Sequence, residues 1–151
     1  MDAETFDKIM LESIAAEIAA RDFYRQAVGR IADPAARDMF LSLSADEEKH
    51  REILETFRFN PVAKVEFEKV TDFKVAETEQ IPDLTFDMSP AEALQVAIKK
   101  EQEAMELYQH FADQCEDAEI KKLYTELAAM ERGHKARIED LFVNTAYPEK
   151  W

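Results

Sequence analysis

Two short stretches of this chain set a carboxylate and an imidazole three residues apart: Glu47-Glu-Lys-His50 and Glu131-Arg-Gly-His134. On a helix, residues i and i+3 share a face, so each pair can hold a metal ion from one side. Two more glutamates, Glu17 and Glu101, stand upstream at matching places. Glu17 to Glu101 is a step of 84 (101 − 17), and the same step joins Glu47 to Glu131, His50 to His134 and Tyr24 to Tyr108. Carboxylate and imidazole donors suit Fe, Mn and Zn alike. Sulfur chemistry has little to work with. The single cysteine, Cys115, excludes an internal disulfide framework and any CxxC metal site.

Four helices are needed to position these residues. Apolar residues recur at helical spacing from about Ala3 to Ile31, with Met10, Ile14, Glu17, Tyr24 and Ile31 on one stripe. Asp33-Pro34 ends this helix and starts the next, Asp as N-cap and Pro in the first turn. The second helix runs to about Phe57 and carries Phe40, Leu43, Glu47, His50, Leu54 and Phe57 on its stripe. Ser89-Pro90, with Glu92 behind, opens a third helix that reaches about Cys115. Leu94, Ile98, Glu101, Tyr108 and Cys115 line its face. Asp117 caps a fourth, from Ala118 to about Asn144, bearing Tyr124, Leu127, Glu131, His134, Ile138 and Leu141. Each short joint predicts an antiparallel hairpin.

The offset of 84 also pairs Ile14 with Ile98, Phe40 with Tyr124, Leu43 with Leu127, Leu54 with Ile138 and Asp33 with Asp117. The chain reads as a duplicated hairpin, 3–57 and 89–145, in a single domain over 1–146 with a short tail, 147–151. Residues 58–88 form a long crossover, broken by Pro61 and Pro82. It would carry the chain back along the bundle so that the third helix starts where its twin did.

The matched polar residues stand where an ordinary helix would be apolar. An ionised carboxylate in a packing seam costs several kcal/mol unless paired or bound to metal. Four in one layer would also repel one another. Two divalent cations remove that conflict, with neutral imidazoles completing the coordination. Composition agrees with an all-α protein. Of 151 residues only Gly29 and Gly133 are glycine, too few for the tight turns of an all-β fold of this size. The formal net charge of −14 disfavours nucleic acid and anionic membrane surfaces. No apolar run approaches the roughly 20 residues of a membrane span. The start of the chain has no secretory pattern, so the cytoplasm is the expected compartment.

On these residues the sequence resembles the ferritin-like superfamily and, within it, the rubrerythrins. Glu17 with Tyr24, Glu47-Glu-Lys-His50, Glu101 with Tyr108 and Glu131-Arg-Gly-His134 carry the resemblance, over Ala3 to about Asn144. It implies a four-helix bundle with two iron ions per chain, Mn or Zn being compatible with the same donors. The implied ligands are Glu17, Glu47, His50, Glu101, Glu131 and His134, with Glu47 and Glu131 bridging. The implied chemistry is reduction of hydrogen peroxide or O2 with oxidation of Fe(II). An external electron donor, such as a separate rubredoxin or a reductase, and a homodimer are implied as well. Two departures from the family pattern stand out. The four cysteines of a rubredoxin domain are missing, and the third helix carries Ala104 where many rubrerythrins have a further Glu. The alternative expectation is a non-catalytic protein that binds or stores iron or another divalent metal.

Other residues read more plainly. Tyr24 and Tyr108, two turns from Glu17 and Glu101, fit either as hydrogen-bond donors to a ligand carboxylate or as core aromatics. His110 belongs to the polar face, Cys115 to the core, and Glu48, Glu52 and Glu55 to a solvated face. Met105 and Met130 read as packing around the site.

Overall fold

The computed structural model describes residues 3–59 and 89–146. They form four helices: α1 (Ala3–Arg30), α2 (Pro34–Phe59), α3 (Pro90–Gln114) and α4 (Ala118–Ala146). The helix starts follow the caps in the sequence. Asp33 Oδ2 accepts from the Ala36 amide at 2.9 Å, with Pro34 in the first turn, where its missing N–H loses nothing. At the head of α3, Ser89 Oγ accepts from the Glu92 amide and Glu92 Oε1 accepts from the Ser89 amide, each at 3.2 Å. This reciprocal box satisfies two donors that the first turn leaves free. Asp117 Oδ1 takes the amides of Glu119 and Ile120, at 3.0 and 3.1 Å. α1 stops at Arg30, so Ile31 lies just past the helix, but it is buried there as its place on the stripe predicts.

The helices pair as two hairpins, α1 with α2 and α3 with α4, and the hairpins close on each other into a four-helix bundle. The interior has three layers. At one end Met10, Ile14, Leu54, Phe57, Tyr108, Phe111, Tyr124 and Leu127 form an apolar cluster. At the other, Tyr24, Phe40, Leu43, Leu94, Ile98 and Ile138 form a second. Each fully buried aliphatic or aromatic side chain contributes about 1.5–3 kcal/mol, so both ends are strongly stabilising. Between them lies a layer of charged and polar groups. Among the described residues, no helix is long and apolar enough to cross a membrane. The 58–88 crossover begins later than the sequence suggests, since α2 continues to Phe59; its remainder, 60–88, and the 147–151 tail lie outside the described residues.

Candidate metal centre

The middle layer holds the six residues singled out by their spacing. Glu17 comes from α1, Glu47 and His50 from α2, Glu101 from α3, Glu131 and His134 from α4. All are buried, none more than 3 % exposed. Their ligand atoms fall into two quartets, each within 4.8 Å of one another: Glu17, Glu47, His50 and Glu131; and Glu47, Glu101, Glu131 and His134. Glu47 and Glu131 belong to both. Glu17 with His50, and Glu101 with His134, belong to one each.

Both imidazoles present Nδ1 to this layer. His50 Nδ1 lies 3.0 Å from Glu131 Oε1 and 3.5 Å from Glu17 Oε2. His134 Nδ1 lies 2.9 Å from Glu47 Oε1 and 3.6 Å from both Glu101 Oε1 and Glu131 Oε2. Their rings stack at 5.6 Å, 8° from parallel. Of these contacts, His50 Nδ1 to Glu131 Oε1 is a hydrogen bond. Among the described residues, Glu17 Oε2, Glu47 Oε1, Glu101 Oε2, Glu131 Oε2 and His134 Nδ1 are buried without a hydrogen-bond partner. A buried unsatisfied polar atom costs about 1–3 kcal/mol, and more when charged. Lone pairs left over in this way, on carboxylate and imidazole donors, are what a pair of divalent cations requires. The residues therefore fit a dimetal site.

The electrostatics of the metal-free layer show what those cations would replace. Burial, then the carboxylates of Glu131, Glu17 and Glu101, push the Glu47 carboxyl well above its ordinary range. Burial and Glu131 do the same to Glu101. Burial pulls His50 down, but the Glu131 and Glu17 carboxylates outweigh it and drive the imidazole up to about 10. His134 is also driven up against burial, chiefly by Glu101 and Asp46. For Glu131, burial is overcome by its neighbours Glu101, His134 and His50, and its carboxyl is held well below the usual range. The carboxylates of this layer thus raise one another and hold the imidazoles towards their charged form, the environment that cations would meet.

Two tyrosines complete the layer, and each combines the two readings open to it. Tyr24 on α1 donates its hydroxyl to Glu101 Oε1 on α3, and Tyr108 on α3 donates to Glu17 Oε1 on α1. Each reaches the carboxylate of the opposite hairpin. Burial first, then the nearby carboxylates, push both phenols far above 10, so they stay donors. Tyr24 stacks on Phe40 at 5.8 Å, and Tyr108 lies 5.8 Å from the Tyr124 ring, so both are also core aromatics.

The remaining candidates lie outside the layer. His110 is exposed and Cys115 is buried, 5 % exposed, at the end of α3. Met105 and Met130 are partly buried. Glu48, Glu52 and Glu55 do face outward, where Arg51 pairs with all three. Sequence reasoning passed over Asp46, whose Oδ2 lies 3.1 Å from His134 Nε2. The available signal was a break in the repeat: Asp46 stands opposite Met130 at the same offset of 84 (130 − 46).

A family model for rubrerythrin matches residues 8–141. Among solved structures, a hypothetical protein from Pyrococcus furiosus is similar at 25 % identity and TM-score 0.69, over 96 % of this chain and 92 % of that one. A conserved hypothetical protein from Mycobacterium tuberculosis, 13 % identical, shares the fold with TM-score 0.69 over 93 % and 99 % of the two chains. No curated protein matches. The match spans all six residues of the buried layer and both tyrosines that brace it, and the chain belongs to the rubrerythrin family.

Proposed function

We propose that this protein is a di-iron oxidoreductase of the peroxidase or ferroxidase type, reducing hydrogen peroxide or O2. One observation carries the reading: four carboxylates and two imidazoles, all buried, meet in two quartets that share Glu47 and Glu131. The shared pair would bridge two ions, with Glu17 and His50 terminal on one and Glu101 and His134 terminal on the other. Two ferrous ions held there would supply two electrons, enough with two protons to take hydrogen peroxide to water or O2 to peroxide.

The chain's own residues do the rest. Tyr24 and Tyr108 fix the orientation of the two terminal carboxylates by donating to one oxygen of each. The apolar clusters above and below exclude bulk water and hold the helices at a fixed separation. We further propose a cytoplasmic homodimer that takes electrons from a separate rubredoxin or reductase; residues 1–151, with one cysteine, do not themselves build an iron–sulfur site of four cysteines.

The test is metal content per chain after anaerobic purification, followed by one equivalent of hydrogen peroxide with the near-ultraviolet spectrum recorded. Two irons per chain and a rapid rise of ferric absorption are expected. No bound metal and no uptake of added Fe(II), or zinc with no response to peroxide, would remove the case. Repeated cycling with an external reductant separates an enzyme from a metal store, which would instead take up more than two ions per chain.

A further inference from the structure

The duplication makes the two histidines equivalent in sequence, yet their outer nitrogens differ. His134 turns Nδ1 to Glu47, Glu101 and Glu131, and its Nε2 lies 3.1 Å from Asp46 Oδ2. Asp46 is itself anchored, with Arg137 Nη1 3.6 Å from the same oxygen, and Arg137 Nη2 donates to Ser42 Oγ at 3.2 Å. His50 turns Nδ1 to Glu131 and Glu17, but among the described residues its Nε2 is buried without a hydrogen-bond partner. The repeat explains this. The twin of Asp46 is Met130, and the twin of Arg137 is Ile53 (137 − 84). A thioether is at best a weak acceptor.

An imidazole that binds metal through Nδ1 carries its proton on Nε2. A carboxylate accepting that proton fixes the tautomer, orients the ring and makes Nδ1 a stronger donor. Among the described residues, only His134 has one.

We propose that Asp46 makes the two metal positions unequal, so that the one formed with Glu101 and His134 fills first and holds its ion more tightly than the one formed with Glu17 and His50. This rests on the dimetal reading above and assigns Asp46 as a positioning residue, since it acts through His134.

The experiment is anaerobic titration of the metal-free full-length chain with Co(II), followed by calorimetry and by the visible absorption of the bound ion. The unaltered chain is expected to bind two ions in two resolved steps. Asp46→Asn keeps the side-chain shape and should weaken the tighter step by about 10–100-fold, with the weaker step unchanged. His50→Gln should remove the weaker step and leave the tighter one. Met130→Asp, which gives His50 the missing acceptor, should strengthen the weaker step. A purely structural role for Asp46 would weaken both steps together and lower the melting temperature of the metal-free protein to match. That pattern, an unchanged tighter step in Asp46→Asn, or loss of the tighter step in His50→Gln overturns the inference while the dimetal reading stands. No Co(II) uptake by the unaltered chain overturns both.

Discussion

Glu47 and Glu48 are neighbours in sequence and identical in side chain, yet they lie in two opposite electrostatic regions of the molecule. Glu47 points into the bundle, where burial and three other carboxylates push its carboxyl well up. Glu48 points out, where hydrogen bonds from Arg51 and Arg21 pull its carboxyl down to about 2. One step of about 100° around α2 separates the two regions. The outer region balances its charge with its own arginines: Arg21 Nη1 lies 2.5 Å from Glu48 on the adjacent helix, and Arg58 Nε lies 2.6 Å from Asp7. The inner layer brings together four carboxylates and two imidazoles, and no arginine is buried among the described residues. A fold that needed only stability would fill that layer with apolar groups. Its composition is that of a set of donors able to hold cations, and each region can be altered to test the contrast.

The largest effect is expected at Glu47, which belongs to both quartets. Glu47→Gln should lose both metals, and with them the stabilisation that binding confers, about 2.7 kcal/mol per site at a hundredfold excess over the dissociation constant. Without metal the sign reverses. The amide removes a carboxylate crowded by Glu131, Glu17 and Glu101, so the metal-free variant should melt no lower than the metal-free parent at pH 8. Thermal melts with and without chelator read both halves. Full metal occupancy in the variant would sink the ligand assignment, and a much less stable metal-free variant would make Glu47 a structural residue.

Next in size is the pH dependence of the metal-free protein. Glu47, Glu101, His50 and His134 all bind protons more tightly folded than unfolded. Between the ordinary carboxylate range and pH 10 the native state therefore carries more protons than the unfolded one, and stability falls as pH rises. The His50 share is complete below pH 6.5 and lost by about pH 10. Glu131 acts in the opposite sense, its share being lost only as pH drops below 4.5. The melting temperature of metal-free protein should drop by several degrees from pH 6 to pH 9. Metal, which displaces the same protons, should flatten that slope. A metal-free protein that gains stability over this range would contradict the inner-layer electrostatics.

The tyrosines sharpen the comparison from inside. Tyr108→Phe keeps the ring and deletes the donor to Glu17 Oε1. A buried carboxylate that loses a hydrogen bond costs about 1–3 kcal/mol, which is roughly 2–12 °C in melting temperature for a chain of this size. Tyr24→Phe should do the same through Glu101. An unchanged melting temperature in the loaded protein would reduce both tyrosines to core aromatics.

Much of this was legible in the sequence because it depends on local rules. Helix periodicity put Glu17, Glu47, Glu101 and Glu131 on apolar stripes, and Asp33, Ser89 and Asp117 marked helix starts that the structure keeps. The repeat of 84 placed the two halves in register, so convergence of the six residues followed from closing two like hairpins. What one stripe cannot show is a partner on another helix. Tyr24 lies two turns from Glu17 but bonds to Glu101, 77 positions away. Asp46 lies at a partly exposed position, where an acidic residue is unremarkable, and its bond to His134 spans 88 positions. The outward glutamates of α2 were legible as a solvated face, whereas the reach of Arg21 across from α1 to Glu48 was not.

The smallest effect is expected on that outer face. Arg51 pairs with Glu48 and Glu55 and lies 3.9 Å from Glu52, while Arg21 ties Glu48 to α1. Such pairs look as well made as anything in the inner layer. Water and salt nevertheless screen them, and ordering long side chains offsets most of their attraction. Glu48→Gln should therefore shift the melting temperature by less than about 2 °C at physiological ionic strength, and by less still in high salt. The second hairpin supports the expectation. At the positions matching Arg21, Glu48 and Arg58 it has Met105, Arg132 and Phe142, and it forms the same antiparallel pair without those contacts. The comparison then reduces to two neighbouring residues and one substitution. Glu48→Gln should leave metal content and stability almost as they were, whereas Glu47→Gln should change both. Equal losses in the two variants would show that the outer network shapes the layer it encloses.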